Sequence, residues 1–555
     1  KFRVLTRGDL SASADPIRMG GSCRGRKDEM TKGREESDGL VVPESRRKAA
    51  LTAGATRRGG KGTTAREVAE QLELTLETAE SPKGDDGGRD RGRPRPQPRA
   101  VPKSRSTTGR ALPAMTIEEV AREENLREAF RRVASNDGAP GPDRQTVEQV
   151  RQRLDAIVPV LSRELTTGEY RPGDIRRVWI PKTGGGERGL GIPNVIDRIV
   201  QQAVAQVLSP HYEPTFHPSS HGFRPGRSCH TAIAEAKRHL EEGYEIVVDL
   251  DLDKFFDRVH WERLLARLGM LVKDDRLIGL IRRMLKARVL MPDGVVVTTE
   301  EGTPQGGPLS PLLSNIVLDE LDWELSRRGH RFVRYADDQN IYVRSQRAGE
   351  RVMANVRDFI ERKLRLKVNL AKSAVAKSGE RHFLGFRLRR EPEDGTVEVD
   401  LSRRSKERVD EKIRSKTRRN RGQSLWATLR ELNAYLEGWI GFFWIVTGKT
   451  AERTLHKLDA HIRRRLRAVL LKHWRSKRSI ARRLIKLGCP PKKAWRTVYE
   501  GRRRLWDLSR TAAVQKSLRN EYFEKRGLFS LEAWRRQRWA RELAPVQLPL
   551  ELELG

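Results

Sequence analysis

The chain has 555 residues, with 111 Lys and Arg against 75 Asp and Glu, a net charge of +36. That length holds several domains, and that charge points to a polyanion partner, most simply nucleic acid. The cysteines Cys23, Cys229 and Cys489 lie far apart with no Cys-x-x-Cys pair, which argues against a zinc ribbon, a zinc-bound nuclease module or a disulfide framework. No apolar run reaches the ~18 residues of a membrane span and no signal-peptide pattern opens the chain, so a soluble, intracellular protein is expected.

Residues 1–114 are rich in Gly, Arg, Ser, Pro and Lys. Such a stretch cannot bury enough apolar surface to offset chain entropy, and a disordered basic extension is expected, with one short helical pattern at 65–76. The chain opens at Lys1 rather than Met, and Met115 directly precedes the first periodic helix, so 1–114 are expected to be dispensable or encoded upstream. Ile117, Val120, Ala121, Leu126, Ala129, Phe130 and Val133 then fall at helical spacing, and a second helix is expected over 146–165. Arg176-Arg177-Val178-Trp179-Ile180-Pro181-Lys182 and Leu190-Gly191-Ile192-Pro193 read as two strands of a hairpin with a glycine-rich tip. Lys182 and Arg188 at its shoulders suit a triphosphate, the Lys as a point charge and the Arg as a fork, although a solvated charged hairpin has the same pattern. A helix follows over 197–208.

Tyr244 to Leu252 is a β-rich run ending in acid, in which Asp249 and Asp251 share one face. Helix begins at His260. Gly302-Thr303-Pro304-Gln305-Gly306-Gly307 is a loop whose glycines permit close backbone approach, and it leads into a helix over 312–325. Phe332-Val333-Arg334-Tyr335-Ala336-Asp337-Asp338-Gln339-Asn340-Ile341-Tyr342-Val343 reads as a β-hairpin with two carboxylates at its tip. A helix is expected over 348–364 and a strand at Phe383-Leu384-Gly385-Phe386. That order of elements predicts an α+β sheet with helices on one face, of the ferredoxin-like kind. Beyond Leu401 the chain reads as basic helices, over 425–446 and 451–474. Gly438 and Gly441 in the first would admit another backbone. Arg463, Arg464, Arg465, Arg467 and Lys472 decorate the second, and basic clusters alternate with aromatics to Ala544. That mixture suits phosphate neutralisation with base stacking; a helical core with a solvated face fits any one helix equally, but the net charge favours nucleic acid for the whole stretch.

An Asp-Asp dipeptide by itself is usually a solvated turn. Two adjacent carboxylates repel, and a hard divalent cation relieves the repulsion. Phosphoryl transfer to a growing strand uses two such cations, held by carboxylates from chain segments that meet in space. Asp251 at a strand end and Asp337-Asp338 at a hairpin tip are a sufficient minimum.

At these residues the sequence resembles a known family. Tyr335-Ala336-Asp337-Asp338 with Asp251-Leu252-x-x-Phe255-Phe256-Asp257 is similar to the reverse-transcriptase signature. Ile180-Pro181-Lys182, Gly222-Phe223-Arg224-Pro225, the Gly302 loop, Ser310-Pro311-Leu312-Leu313 and Phe383-Leu384-Gly385-Phe386 resemble group II intron-encoded proteins, nearest in wording to the bacterial group IIC class. The resemblance implies a right-hand polymerase, with fingers and a ferredoxin-like palm over 115–395. A helical thumb or maturase domain over 396–475 and a DNA-binding domain over 476–544 would follow, before a tail at 545–555. It implies that Asp251 and Asp337 ligate two Mg²⁺ ions with help from the Leu252 carbonyl, and that Asp338 supports them. Lys182 and Arg188 would bind the triphosphate, and Gln305 would lie near the incoming nucleotide. Phe256 would exclude a ribose 2′-hydroxyl, and Lys372 would stand near pyrophosphate. Asp249 matches no ligand position. Group II intron RNA, target DNA with a primer strand, and dNTPs are the implied partners, in a bacterial cytoplasm and at the nucleoid during retrohoming. No cysteine-bearing nuclease domain follows, so a borrowed primer is expected. A reverse transcriptase recruited to host defence or repair, and an RNA-binding splicing cofactor with an idle polymerase, are the alternatives. The intact aspartates disfavour the second.

Overall fold

The computed structural model describes residues 112–181, 186–500 and 504–543. The expected extension before 112, the helical pattern at 65–76, Lys182, the tip at 183–185, the cluster at 501–503 and the tail from 544 lie outside the described residues.

Where one first helix was expected there are two, α1 (Ile117–Ala121) and α2 (Glu123–Ser135). Arg122 between them is non-helical (φ −51°, ψ 131°), and Ile117, Val120, Leu126 and Phe130 enter one core from the two sides of this break. The next helix is likewise broken, at Arg153, into α3 (Val147–Gln152) and α4 (Leu154–Thr167). Thr146 and Gln149 form a reciprocal capping box that fixes the start of α3. Strands β1 (Ile175–Pro181) and β2 (Glu187–Ile192) form the expected hairpin, with Ile180 opposite Arg188. Helix α5 (Val195–Tyr212) outruns the expected 197–208 at both ends. Helix α6 (Cys229–Glu241) is capped by Ser228.

Strand β3 (Ile246–Leu250) lies at the heart of the molecule. After it come α7 (Trp261–Leu271) and α8 (Asp275–Leu285), then the two-residue strands β4 (Val289–Leu290) and β5 (Val296–Val297), which extend the β1–β2 sheet. Helix α9 (Ser310–Arg327) leads to the hairpin β6 (Arg331–Tyr335) and β7 (Asp338–Val343), and α10 (Gln346–Phe359) follows, widening to a π-type turn at Ile360–Leu364. Strand β8 (Ala374–Lys377), which sequence reading missed, completes an antiparallel sheet of order β6-β7-β3-β8.

Helices cover both faces of this sheet, not one. Ile246, Val248, Leu250, Phe332, Ile341 and Val343 belong to a core shared with α5, α7, α8 and α9. Val247, Val333 and Tyr342 point the other way, into a second core begun by α6. Period-2 alternation in β3 serves two apolar layers at its buried end and gives way to Asp249 and Asp251 at the other.

Phe383-Leu384-Gly385-Phe386 is a turn rather than a strand. Phe383 and Phe386 exchange both main-chain hydrogen bonds at 2.9 Å around Leu384 (φ 51°) and Gly385 (φ 83°), and left-handed residues end extended backbone. The turn opens a hairpin of β9 (Phe386–Arg390) and β10 (Val397–Leu401). Helices α11 (Arg403–Lys416), α12 (Leu425–Phe443) and α13 (Gly448–His473) pack their apolar faces into the second core. Gly438 and Gly441 meet nothing within 4 Å, so no backbone among the described residues uses the space they leave. The same core runs on through α14 (Lys477–Lys486), α15 (Pro491–Tyr499) and three shorter helices, α16 (Leu505–Leu508), α17 (Ala512–Ser517) and α18 (Asn520–Glu524), to Leu531, without a break near 475. Asp459, 4% exposed, caps the last helix, α19 (Leu531–Leu543), by accepting from Ser530 Oγ (2.8 Å) and the N–H groups of Leu531 and Glu532.

Candidate active site

Three chain segments meet at the polar end of the central sheet. Asp251 is the first residue beyond β3. Residues 367–373 run beside it: Asp253 N–H donates to Lys367 O (2.8 Å), Asn369 N–H to Asp251 O (2.8 Å) and Asp251 N–H to Ser373 Oγ (3.0 Å). Those bonds flank the antiparallel pair Leu252 and Val368, so the Leu252 carbonyl turns away from Val368. The β6–β7 hairpin lies on the other side, with Leu250 opposite Gln339. Asp338 opens β7 opposite Tyr335, and Ala336-Asp337 form the two-residue turn between them. The expected union of Asp251 with the Asp pair is therefore present.

The electrostatics record the crowding. Burial raises Asp337, and Asp251 raises it further, against Arg188 and Arg334. Asp338 is pushed up to about 7 by surrounding protein first, then by Asp337, Asp249 and Asp251, with Arg188 opposing. Its side chain is nonetheless open to solvent. Arg188, on β2, lies near enough to both carboxylates to draw them down.

Lys372 Nζ stands 3.3 Å from Asp251 Oδ2 and is mostly exposed. Asp249 is committed elsewhere: Arg381 grips its Oδ2 through Nη2 (2.5 Å) and Nε (2.9 Å). Arg381 also donates to Lys372 O (2.9 Å), which ties the Lys372 turn to the sheet. The sequence gives Asp249 no ligand position, in keeping with this pairing, and Arg381 is too distant in the chain for spacing to reveal.

Among the described residues, no three His, Cys, Asp or Glu side chains are grouped to hold a metal ion. Mg²⁺, however, is held through one or two carboxylates, with water and substrate phosphates completing its shell. The donors here are hard oxygens: the Asp251 and Asp337 carboxylates and the Leu252 carbonyl. Burial first, and repulsion among neighbouring carboxylates after it, hold Asp337 and Asp338 above the usual carboxylate range, and a bound cation would relieve the repulsion. The residues present fit such an ion.

A chain of backbone contacts ties β2, which carries Arg188, to the Gln305 loop and to the turn after β3. Thr303 N–H donates to Phe256 O (2.6 Å) and Gly191 N–H to Gln305 O (2.7 Å), which joins the Phe256 turn, the Gln305 loop and β2. Gly306 has φ 124°, and a Cβ there would lie 2.6 Å from Gly191 O, so this approach requires glycine. Phe256 packs edge-on against Phe255 at 5.1 Å.

The basic residues of α13 lie elsewhere, and three of the five are engaged internally rather than decorating a surface. Arg464 stacks on Trp506, its guanidinium carbon 3.7 Å from the ring centroid. Arg465 donates to Thr417 Oγ1 (2.5 Å) and to the carbonyls of Arg414 and Thr417. Arg467 donates to Leu518 O (2.9 Å). Each clamps a neighbouring segment to α13, which periodicity alone cannot foresee. Among the described residues the Arg463 and Lys472 side chains make no hydrogen bond or ion pair.

Residues 180–388 match the family described as reverse transcriptase (RNA-dependent DNA polymerase), and residues 406–487 match the maturase-specific domain of group II introns. The chain is 34% identical over 362 residues to protein YkfC of Escherichia coli (strain K12), which covers 57% of this chain and 92% of that one. It is 43% identical over 159 residues to the group II intron-encoded protein LtrA of Lactococcus lactis subsp. cremoris, over 28% of this chain and 26% of LtrA. To the putative COX1/OXI3 intron 2 protein of Saccharomyces cerevisiae it is 29% identical over 290 residues, 42% of this chain and 34% of that one. No helix among the described residues is long and apolar enough to cross a membrane.

Proposed function

The chain belongs to the reverse transcriptases with a maturase domain encoded by group II introns, and on that premise we propose that it copies intron RNA into DNA and binds the same RNA to assist its splicing and retrohoming. The observation that carries the polymerase reading is the meeting of Asp251 with Asp337-Asp338 opposite Arg188. Asp251, Asp337 and the Leu252 carbonyl would hold two Mg²⁺ ions, and Asp338 adds charge behind them. Bound there, the ions lower the pKa of a primer 3′-hydroxyl and neutralise charge on the leaving pyrophosphate. Arg188 and Lys182 grip the triphosphate, and the Gln305 loop borders the incoming base. Phe256 would act as the steric gate that excludes a ribose 2′-hydroxyl, which favours dNTPs. Lys372, held through its carbonyl by Arg381 and beside Asp251, would serve the leaving pyrophosphate. The β3-centred sheet acts as palm, the β1–β2 hairpin as fingers, and α12 with α13 as the RNA-binding thumb, with target-DNA contacts further on.

Primed extension on an RNA template in Mg²⁺ tests the reading. Asp337→Ala is expected to abolish cDNA synthesis while RNA binding persists. Undiminished synthesis by that variant would refute the site.

A further inference from the structure

The turn that presents Asp337 is held in a conformation a hairpin alone does not favour. Ala336 has φ 55°, where Cβ crowds the backbone and where two-residue turns usually carry glycine. Beneath it, in β6, lies Arg334, 1% exposed, paired with Asp322 of α9, 0% exposed. The Arg334 guanidinium forks onto Asp322 through Nη2 (2.5 Å) and Nε (2.8 Å). Nη2 also donates to Ser220 Oγ (2.7 Å), and Nη1 donates to Asn315 Oδ1 (3.0 Å) and to Ala336 O (2.9 Å). Asn315 passes the chain on, its Nδ2 donating to Gly222 O (2.9 Å). Gly222 in turn presses on the turn from another side: a Cβ there would come within 2.2 Å of Ala336 N and 2.9 Å of its Cα.

A buried ion pair is poor evidence of a stabilising purpose, because apolar side chains of like volume commonly serve as well. Apolar side chains could not, however, give a fixed donor to the Ala336 carbonyl. We infer that Arg334, oriented by Asp322, is a positioning residue for Asp337. With Gly222 it clamps the Ala336 turn from two sides and sets where the Asp337 carboxylate stands relative to Asp251. The inference rests on the reading of Asp337 as a metal-holding carboxylate.

Three variants test it. Arg334→Lys keeps the charge but loses the fork, Asp322→Asn keeps the shape but loses the charge, and Gly222→Ala displaces the turn while leaving the ion pair intact. Each is measured by thermal unfolding, RNA affinity and single-turnover primer extension with dNTP and Mg²⁺ titrations, well below its unfolding midpoint. A misplacement near 1 Å costs about 100-fold in rate. The expected result is a loss of roughly that size in the extension rate at saturating dNTP and a higher Mg²⁺ midpoint, with dNTP half-saturation and RNA affinity within about twofold of the parent. A residue that only stabilises the fold would move the unfolding midpoint and leave rate and Mg²⁺ midpoint untouched in the folded fraction. Parental rate and Mg²⁺ midpoint in folded Gly222→Ala would overturn the inference, as would failure of all three variants to fold. Asp337→Ala runs in parallel: parental extension by it would strike the site reading itself and the clamp with it, an outcome distinct from a dead Asp337→Ala beside active clamp variants.

Discussion

Arginines around the central sheet and on α13 are both drawn into the protein, but onto different partners. Around the sheet they meet carboxylates: Arg334 with Asp322, Arg381 with Asp249, Arg267 with Asp319, Arg224 with Glu213. On α13 they meet carbonyls, a hydroxyl and a ring: Arg467 with Leu518 O, Arg465 with Thr417, Arg464 with Trp506. A carboxylate cancels the guanidinium charge, whereas a carbonyl offers a dipole and leaves the charge whole. The sheet thus uses arginine for direction at no net charge, and α13 uses it as a strut that still contributes to a positive field. Counting basic residues therefore overstates the phosphate contacts of the helical region while describing its field correctly.

Breaking the sheet pair gives the largest expected effect. Arg334→Leu strands the Asp322 carboxylate, fully buried, without a counter-charge. Loss of one partner of a buried pair typically costs about 3–5 kcal/mol. Arg467→Leu strands only the Leu518 carbonyl, for about 1–2 kcal/mol. Urea midpoints of the two variants check the ranking, and equal losses would erase the distinction between the two kinds of pairing.

A second difference is that carboxylate pairs titrate and carbonyl pairs do not. Asp319, beside the Arg334 network, is raised to about 6 by burial and by Asp322, against Arg267. Its folded pKa exceeds its unfolded value, so the folded state holds the proton longer. The resulting stability is present below about pH 4 and is lost as pH rises through about 6. Two pKa units correspond to about 3 kcal/mol. Relative to Asp319→Asn, the parent is expected to lose about that much between pH 4 and pH 7, read by urea unfolding at each pH. A constant difference across that range would contradict the assignment.

Much of the site was legible before any coordinates, because its signals are local. An Asp pair between β-rich flanks made the hairpin, acid at a strand end made Asp251, and a Gly/Pro cluster made the Gln305 loop. What was not legible depends on contacts remote in sequence. Phe383 to Gly385 has strand-like apolar composition, but two left-handed residues make it a turn. The second apolar layer behind the sheet is supplied by α6 and by helices beyond residue 400. The Arg334 clamp left one trace: an arginine on the same face as the apolar Phe332 in the middle of a strand, with Asp319 and Asp322 in the helix before it. An arginine so placed needs a buried partner.

The smallest effects on stability carry the sharpest test of the helical region. Arg463→Gln and Lys472→Gln remove side chains with no internal partner among the described residues, so unfolding midpoints should hardly move. If these two meet RNA phosphates, each loss should flatten the slope of log affinity against log salt by about 0.7–0.9, the share of one released counterion. Arg467→Gln should behave in the opposite way. It loses the Leu518 contact and about 1 kcal/mol of stability. Its slope should stay near the parent's, because a charge held against a carbonyl inside the protein is not exchanged for counterions when RNA binds. Its remaining influence is through space, and a Debye length of about 8 Å at physiological salt screens most of that. A slope change in Arg467→Gln as large as in Arg463→Gln would mean that the strut opens on binding and that its charge reaches the RNA after all.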